Sequence, residues 1–230
     1  LTVVKTEDAI HNVNEVTEFD YRTMSPKVMK DLNDVITENI FDILGLVVGM
    51  CIKGKKGEGD EINSDFNADP NQTEIDSFFD SPGSSAKTLL GNATTRFVYD
   101  FSRTKVLTAC AASIIREQHL NKLVNGVIVQ TDDSPVQTSF EYSDGFGKVV
   151  MKKVQAEPGL AKQLKDDCTI EEVNANPRWV GNGRTIFNNK GKPVKQFEPY
   201  FSATHKYEDE DELVQIGVTP VLYYDPVGRL

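Results

Sequence analysis

Few places in the 230-residue chain have residue types and spacing suited to chemistry. Gly54-Lys55-Lys56-Gly57-Glu58-Gly59 has the outline of a phosphate loop. Such a loop needs Gly-Lys-Ser/Thr opening a helix, and here Glu58, Asp60 and Glu61 follow, which would repel phosphate. The stretch reads as a mobile hairpin tip. Asp65-x-Asn67-x-Asp69 with Asp76 imitates a calcium loop. The sixth position must turn sharply but is Pro70, and the twelfth is Asp76 where a longer bidentate Glu belongs. A solvated acidic loop accounts for the same residues.

The remaining reactive side chains are scattered. Cys51, Cys110 and Cys168 are odd in number and widely spaced, which argues against a disulfide framework and a zinc site and for buried free thiols. His11, His119 and His205 stand apart. His205, in Ser-Ala-Thr-His-Lys-Tyr beside an acidic stretch, reads as a surface histidine. The 35 acidic residues guarantee close carboxylate pairs, but no local signature marks two as catalytic. Gly-x-Ser-x-Gly and His-Glu-x-x-His are both missing. The reading is a non-enzyme with no cofactor and no bound metal. The aromatic residues near the turns suit core packing better than sugar stacking.

Composition agrees. With 39% hydrophobic and 26% charged residues the chain can bury one core, or form a slice of a larger one. The net charge is −10, and no basic stripe serves nucleic acid. The longest apolar run, Ile43 to Ile52, is far shorter than the ~20 residues of a membrane helix, so no membrane contact is expected. The chain opens with Leu1-Thr2-Val3-Val4, which is no signal peptide.

The elements that would position side chains are short strands. A meander runs through Thr17 to Arg22, a break at Met24-Ser25-Pro26, Lys27 to Lys30, a turn at Asp31 to Asp34, Val35 to Phe41 and Leu46 to Lys53. An insertion from about 53 to 93 holds the polar loop and one or two short helices. One lies within Asn71 to Asp80. The other covers Ala86 to Leu90, with Ser84 or Ser85 as N-cap and Gly91-Asn92 as stop. Thr94 to Phe101 reads as a strand. Lys105 to His119 reads as a strand with helix as the alternative, and Gly126 to Gln130 as a strand. Val136 to Tyr142 alternates cleanly and returns through Lys148 to Gln155. Leu160 to Lys165 reads as a helical turn. Trp179 to Phe187 and Pro193 to Phe197 form another hairpin. Glu198 to Phe201 is an aromatic corner, and Tyr207 to Glu212 an acidic loop. The final run, Thr219 to Leu230, is a strand entering Asp225-Pro226-Val227-Gly228.

That last turn recurs: Phe41-Asp42-Ile43-Leu44-Gly45, Ser143-Asp144-Gly145-Phe146-Gly147-Lys148 and Phe187-Asn188-Asn189-Lys190-Gly191-Lys192. The shared form is aromatic, Asp or Asn, two residues, Gly, then usually a basic residue. The carboxylate or amide accepts a backbone N–H further on, and Gly takes the left-handed conformation. The structural turn residues are therefore Asp42, Gly45, Asp144, Gly147, Asn188, Gly191, Asp225 and Gly228.

This pattern resembles the YD repeat of bacterial Rhs proteins. Longer stretches are similar to the B component of insecticidal toxin complexes (Tc toxins). They are Thr17 to Arg22, Gly45 to Gly49, Gly91 to Asp100, Tyr142 to Lys148, Asn176 to Thr185 and, most specific, Phe187 to His205. The resemblance departs at Leu46, where a repeat has Arg, and in the acidic loop Lys53 to Asp80.

It implies a mainly β chain, an antiparallel meander of Rhs/YD-repeat hairpins with short helical insertions, forming a segment of a larger β shell across residues 1–230. In that family the B and C components enclose a cytotoxic effector and help deliver it. The implied partners are the rest of the parent toxin chain and the C component, with no nucleic acid, and the implied location is secreted or extracellular. The alternative is a secreted or surface YD-repeat module that binds glycans or another protein. The non-Met start and the hairpin cut after Gly228 are expected of a fragment.

Overall fold

The computed structural model describes residues 2–101, 108–131, 134–165, 167–215, 217 and 220–230. It is mainly β and divides into two compact units. One comprises residues 1–98 and 113–138, the other residues 99–112 and 139–230.

In the first unit five strands follow one another and pair antiparallel in chain order. They are β1 (Lys5–Glu7), β2 (Val13–Asp20), β3 (Ser25–Lys30), β4 (Ile36–Phe41) and β5 (Val47–Lys53). The expected break at Met24-Ser25-Pro26 lies slightly earlier, in a turn over residues 21–24 that ends with Met24 at φ +53°. Pro26 lies inside β3 opposite Phe19, where the ladder is already irregular, so its missing N–H is tolerated.

The stretch after β5 then folds back over that strand. Phe66 lies against Gly49, where an added Cβ would come within 2.5 Å of the ring. Arg96 stacks over the face of Phe66, 4.6 Å from its centroid. Two helices follow, α1 (Gln72–Asp80) and α2 (Pro82–Leu90). Asn71 and Glu74 close a capping box on α1. The start of α2 differs from the expectation. Ser81 is the N-cap and Pro82 the first helical residue, because proline's fixed φ suits that position, while Gly91 at φ +56° ends the helix as expected. Strand β6 (Thr95–Asp100) pairs with β5.

Strand β7 (Ala109–Arg116) settles the strand-or-helix alternative in favour of strand. Residues 105–107 of that expectation lie outside the described residues. A small hairpin, β8 (Asn121–Val124) and β9 (Val127–Gln130), completes the unit, with Asn125 and Gly126 both at positive φ. Val48, Cys51, Phe78, Leu90, Val98 and Ile114 are buried.

In the second unit β10 (Val136–Ser143, counted here from Ser139) pairs with β11 (Val149–Ala156). Next in chain order come β12 (Gly159–Leu164), β13 (Ile170–Ala175), β14 (Arg178–Gly181), β15 (Thr185–Phe187), β16 (Pro193–Gln196), β17 (Tyr200–Ser202) and the short helix α3 (Asp211–Val214). The ladder runs β10-β11-β14-β17-β12-β13, and β15 and β16 form a separate pair. Of the pairings described in this unit, only β12 with β17 is parallel.

Four expectations are corrected here. Leu160 to Lys165 is not a helical turn but most of β12, held to β13 across six residue pairs. The strand from Trp179 to Phe187 is split into β14 and β15 by Gly183 at φ +69°. The aromatic corner becomes β17. Val221 to Tyr224 is no strand and lies beside β16, with Leu222 N–H donating to Val194 O at 2.9 Å. Phe140, Tyr142, Met151, Trp179 and Tyr200 are buried.

Candidate functional site

Seven chain reversals among the described residues share one backbone form. The residue at position i donates its N–H to the carbonyl of i+4 and accepts from the N–H of i+3. The pairs begin at Asp8, Asp31, Asp42, Asp144, Lys165, Asn188 and Asp225. In all seven the i+3 residue has positive φ: His11, Asp34, Gly45, Gly147, Cys168, Gly191 and Gly228. In six the side-chain oxygen at i also accepts the N–H of i+4, at 2.8–3.0 Å. The seventh begins with Lys165, which has no acceptor. Asp167 takes over, accepting from Thr169 N at 3.0 Å. The ladder slips just before Asp42, Asp144 and Asn188, the bulge that such a turn imposes on its hairpin.

Asp42, Asp144, Asn188 and Asp225 thus occupy position i, and Gly45, Gly147, Gly191 and Gly228 position i+3. The turns at Asp8 and Lys165 were not read from sequence, because neither has Gly where the backbone turns left-handed. The turn at Asp31 was read, but not the left-handed Asp34.

Two buried polar clusters also escaped sequence reading. In the first unit the side chain of Asp60 is fully enclosed. It accepts from Leu120 N–H at 2.7 Å, Thr94 Oγ1 at 2.6 Å and His119 Nδ1 at 2.8 Å, with Arg116 Nε at 3.8 Å. Thr94 Oγ1 in turn accepts Ile52 N–H at 2.9 Å. One carboxylate therefore ties β5, the loop, β6 and the start of β8 together. Asp65, Asn67 and Asp69 are exposed, as the expected solvated acidic loop requires, but the stretch is anchored at both ends. Asp60 is buried, and Asp69 accepts Ile43 N–H at 2.8 Å. Asn67 gives its carbonyl to Arg96 at 2.7 Å and its side-chain oxygen to Asp69 N–H at 3.1 Å. These oxygens are occupied by donors of the chain itself. The described residues contain no cluster of three or more His, Cys, Asp or Glu able to hold a metal ion.

In the second unit Lys153 and Glu208 form a buried ion pair. Tyr200 Oη donates to Glu208 Oε2 at 2.7 Å and Ser202 Oγ to Oε1 at 2.9 Å. Lys153 also donates to Thr204 O at 3.3 Å and lies 4.9 Å from the Tyr200 ring centroid. Burial pulls the Lys153 ammonium below the usual lysine range and pushes the Tyr200 phenol up. The expected acidic loop around Tyr207 to Glu212 thus delivers a core carboxylate. His205 is no surface histidine. It is 8% exposed, with its ring centroid 4.8 Å from Phe140 and 5.5 Å from Trp179. Cys51 and Cys110 are buried, with burial pushing both thiols up to about 12, whereas Cys168 is exposed. A thiol held protonated in this way is a poor nucleophile.

No protein-family model matches the sequence, and no curated protein does. Solved structures do. A crystal structure of TcdB2-TccC3 matches with 22% identity and a TM-score of 0.64, over 99% of this chain and 11% of that one. TcdB2-TccC3 without its hypervariable C-terminal region matches with 18% identity and a TM-score of 0.69, over 98% and 13%. The Photorhabdus luminescens Tc holotoxin pore carrying the TccC3 mutation D651A matches with 17% identity and a TM-score of 0.56, over 88% and 11%. The chain has the Rhs-like fold of the matching stretch of these toxin complexes, and spans about a tenth of their length.

Three outcomes are expected. Gly147, at φ +77° with open space around its Cβ position, isolates backbone strain. Gly147→Val should cost more than about 1 kcal/mol in urea unfolding, and unchanged stability would remove the left-handed requirement. Backbone and side-chain donors from Arg229 hold the Asp225 carboxyl below the usual range, and those from Asn12 do the same for Asp8. A folded value below the unfolded one stabilises above the unfolded value, and that contribution is lost as pH falls through the folded one. The Asp8→Asn/Asp225→Asn variant, with an amide acceptor as at Asn188, should therefore lose less thermal stability on acidification than the parent. Equal losses would show that these carboxylates do not set the acid response. Finally, Glu208→Leu leaves a buried ammonium unpaired and should cost about 3–5 kcal/mol. Lys153→Met leaves Glu208 with two hydroxyl donors and should cost less, and combining the two should recover part of the Glu208→Leu loss. Strict additivity in urea unfolding would mean that the pair is not coupled.

Proposed function

We propose that the chain is a wall segment: a structural stretch of a bacterial toxin-complex component whose YD-repeat β shell encloses a cytotoxic effector and helps deliver it. One observation carries this reading. The chain follows TcdB2-TccC3 along nearly its whole length while covering only 11–13% of those chains, as one stretch of a much larger repetitive fold would. The seven like turns support it, since meandering hairpins extend a sheet without needing a ligand or a closed core. The partners on this reading are the remainder of the toxin chain and the C component, and the location is secreted or extracellular. Among the described residues no helix is long and apolar enough to cross a membrane.

The segment has no turnover of its own on this reading. Two of the buried acids, Asp60 and Glu208, spend their oxygens on Thr94, His119, Leu120, Lys153, Tyr200 and Ser202.

The test uses the full-length component carrying this segment, produced with its C component. Glu208→Leu should raise the protease sensitivity of the enclosed part under conditions where the parent complex protects it. Unchanged protection, with the segment itself shown to be loosened by hydrogen exchange, would sink the wall reading. Saturable glycan binding lost on replacing Phe146 or Tyr223, both well exposed, would favour a binding module in its place. Hydrolase, transferase or nuclease turnover lost on changing Asp60 or Glu208 would overturn the non-enzyme reading.

A further inference from the structure

Within the second unit the turns are joined by a cation passed from one to the next. Lys148 follows the turn 144–147. Its Nζ lies 5.1 Å from the centroid of Phe187, the residue just before the turn 188–191, and sits on the side of Gly191 where a side chain would stand. Lys192 follows that turn and repeats the arrangement one step on. Its Nζ lies 5.2 Å from the centroid of Tyr224, just before the turn 225–228, and donates to Gly228 O. An added Cβ at Gly228 would come within 2.8 Å of this Nζ. Lys190 adds a second bond to the same turn, at Pro226 O.

The spacing aromatic–Asp/Asn–x–x–Gly–basic therefore has two halves. The aromatic and the glycine form a socket, whose ring face attracts a cation and whose missing Cβ lets it reach a turn carbonyl. The basic residue is the plug for the next socket. Turn 144–147 tests the rule from within. It has Ser143 where the ring belongs, and nothing lies within 4 Å of a Cβ at Gly147.

Arg229 stands where Lys148 and Lys192 stand. Its side chain is 82% exposed, and its Nε donates to Asp225 Oδ2 at 2.7 Å. Among the described residues no aromatic ring lies against it, and Val227 and Leu230 beside it are exposed. We propose that Arg229 is a docking plug for a further hairpin turn of the form aromatic–Asp/Asn–x–x–Gly, supplied in cis by another stretch of the same protein. Both filled sockets are in cis and belong to successive turns of this form, which selects that source over a second copy. The step to an additional hairpin rests on the wall-segment reading. The strap between existing turns does not.

Two measurements separate them. First, Lys192→Met should speed amide exchange at Gly228 about three-fold, the size of an exposed cation–π contact. In a Tyr224→Leu background the same substitution should have little further effect. Equal effects in both backgrounds would remove the strap, whatever the protein's function. Second, a chain extended after Leu230 by a copy of residues 194–230 offers Arg229 a socket at the Lys192–Tyr224 spacing. The Arg229 Nε–H resonance should move upfield by ring current, and the shift should vanish when the tyrosine preceding the appended turn is replaced by leucine. An unmoved resonance, or an appended turn whose glycine amide stays unprotected, would overturn the plug while leaving the internal straps standing. A shift that appears in the unextended chain with rising concentration, and is lost in Arg229→Gln, would assign the contact to a second copy and overturn the cis source.

Discussion

A hairpin closed with paired bonds from i to i+4 and from i+3 to i must put its fourth residue in the left-handed region. Only there does the i+3 N–H reach back while the returning strand stays in register. Six of the seven turns place one strand against the next, so these ladders inherit their register from a handful of left-handed residues. Glycine meets the demand without strain in four of the seven turns. His11, Asp34 and Cys168 meet it at a steric cost of roughly 1–2 kcal/mol, which the surrounding ladder must outweigh. The side-chain oxygen at position i offsets part of the cost by taking an N–H that would otherwise face water.

Where the chain leaves the ladder, charge takes over this positioning role. The stretch between β5 and β6 has few regular bonds of its own, and the buried Asp60 carboxylate fixes it by collecting donors from three directions. The stretch after β17 is fixed in the same way by Glu208, which lies within reach of Lys153 on β11 and of Tyr200 and Ser202 on β17. A buried ion pair adds little net stability against an apolar replacement, but removing one partner is severe. These clusters therefore specify one arrangement of the loops more than they strengthen it.

The sequence was legible where one signal acted alone. Val136 to Tyr142 alternates with period two, and β10 and β11 lie where that pattern put them. The Asp/Asn-x-x-Gly turns were legible because glycine advertises the left-handed position, and the turn ending in Cys168 was not because cysteine does not. Leu160 to Lys165 misled because Leu-Ala-Lys-Gln-Leu has good helix propensity, and only pairing with β13, invisible locally, makes it a strand. Burial of His205 and Glu208 was equally illegible. Their hydrophilic neighbours read as solvent-facing, while their partners Trp179 and Lys153 come from strands tens of residues earlier.

The acidity of the chain takes on a different meaning once the side chains are placed. A net charge of −10 invites a search for a basic partner or a bound cation. Yet Asp8, Asp31, Asp42, Asp144 and Asp225 are position-i residues of turns, Asp20 accepts the Arg22 and Thr23 amides in another bend, and Asp60 and Glu208 are core ligands of the chain's own donors. Aspartate is the side chain that best reaches a backbone N–H two to four residues ahead, so a chain that reverses direction this often accumulates it. Much of the negative charge is thus a by-product of hairpin closure. The cations that follow the turns, Lys148 and Lys192, then have a reason to lean onto the next turn, where carbonyl oxygens and ring faces gather.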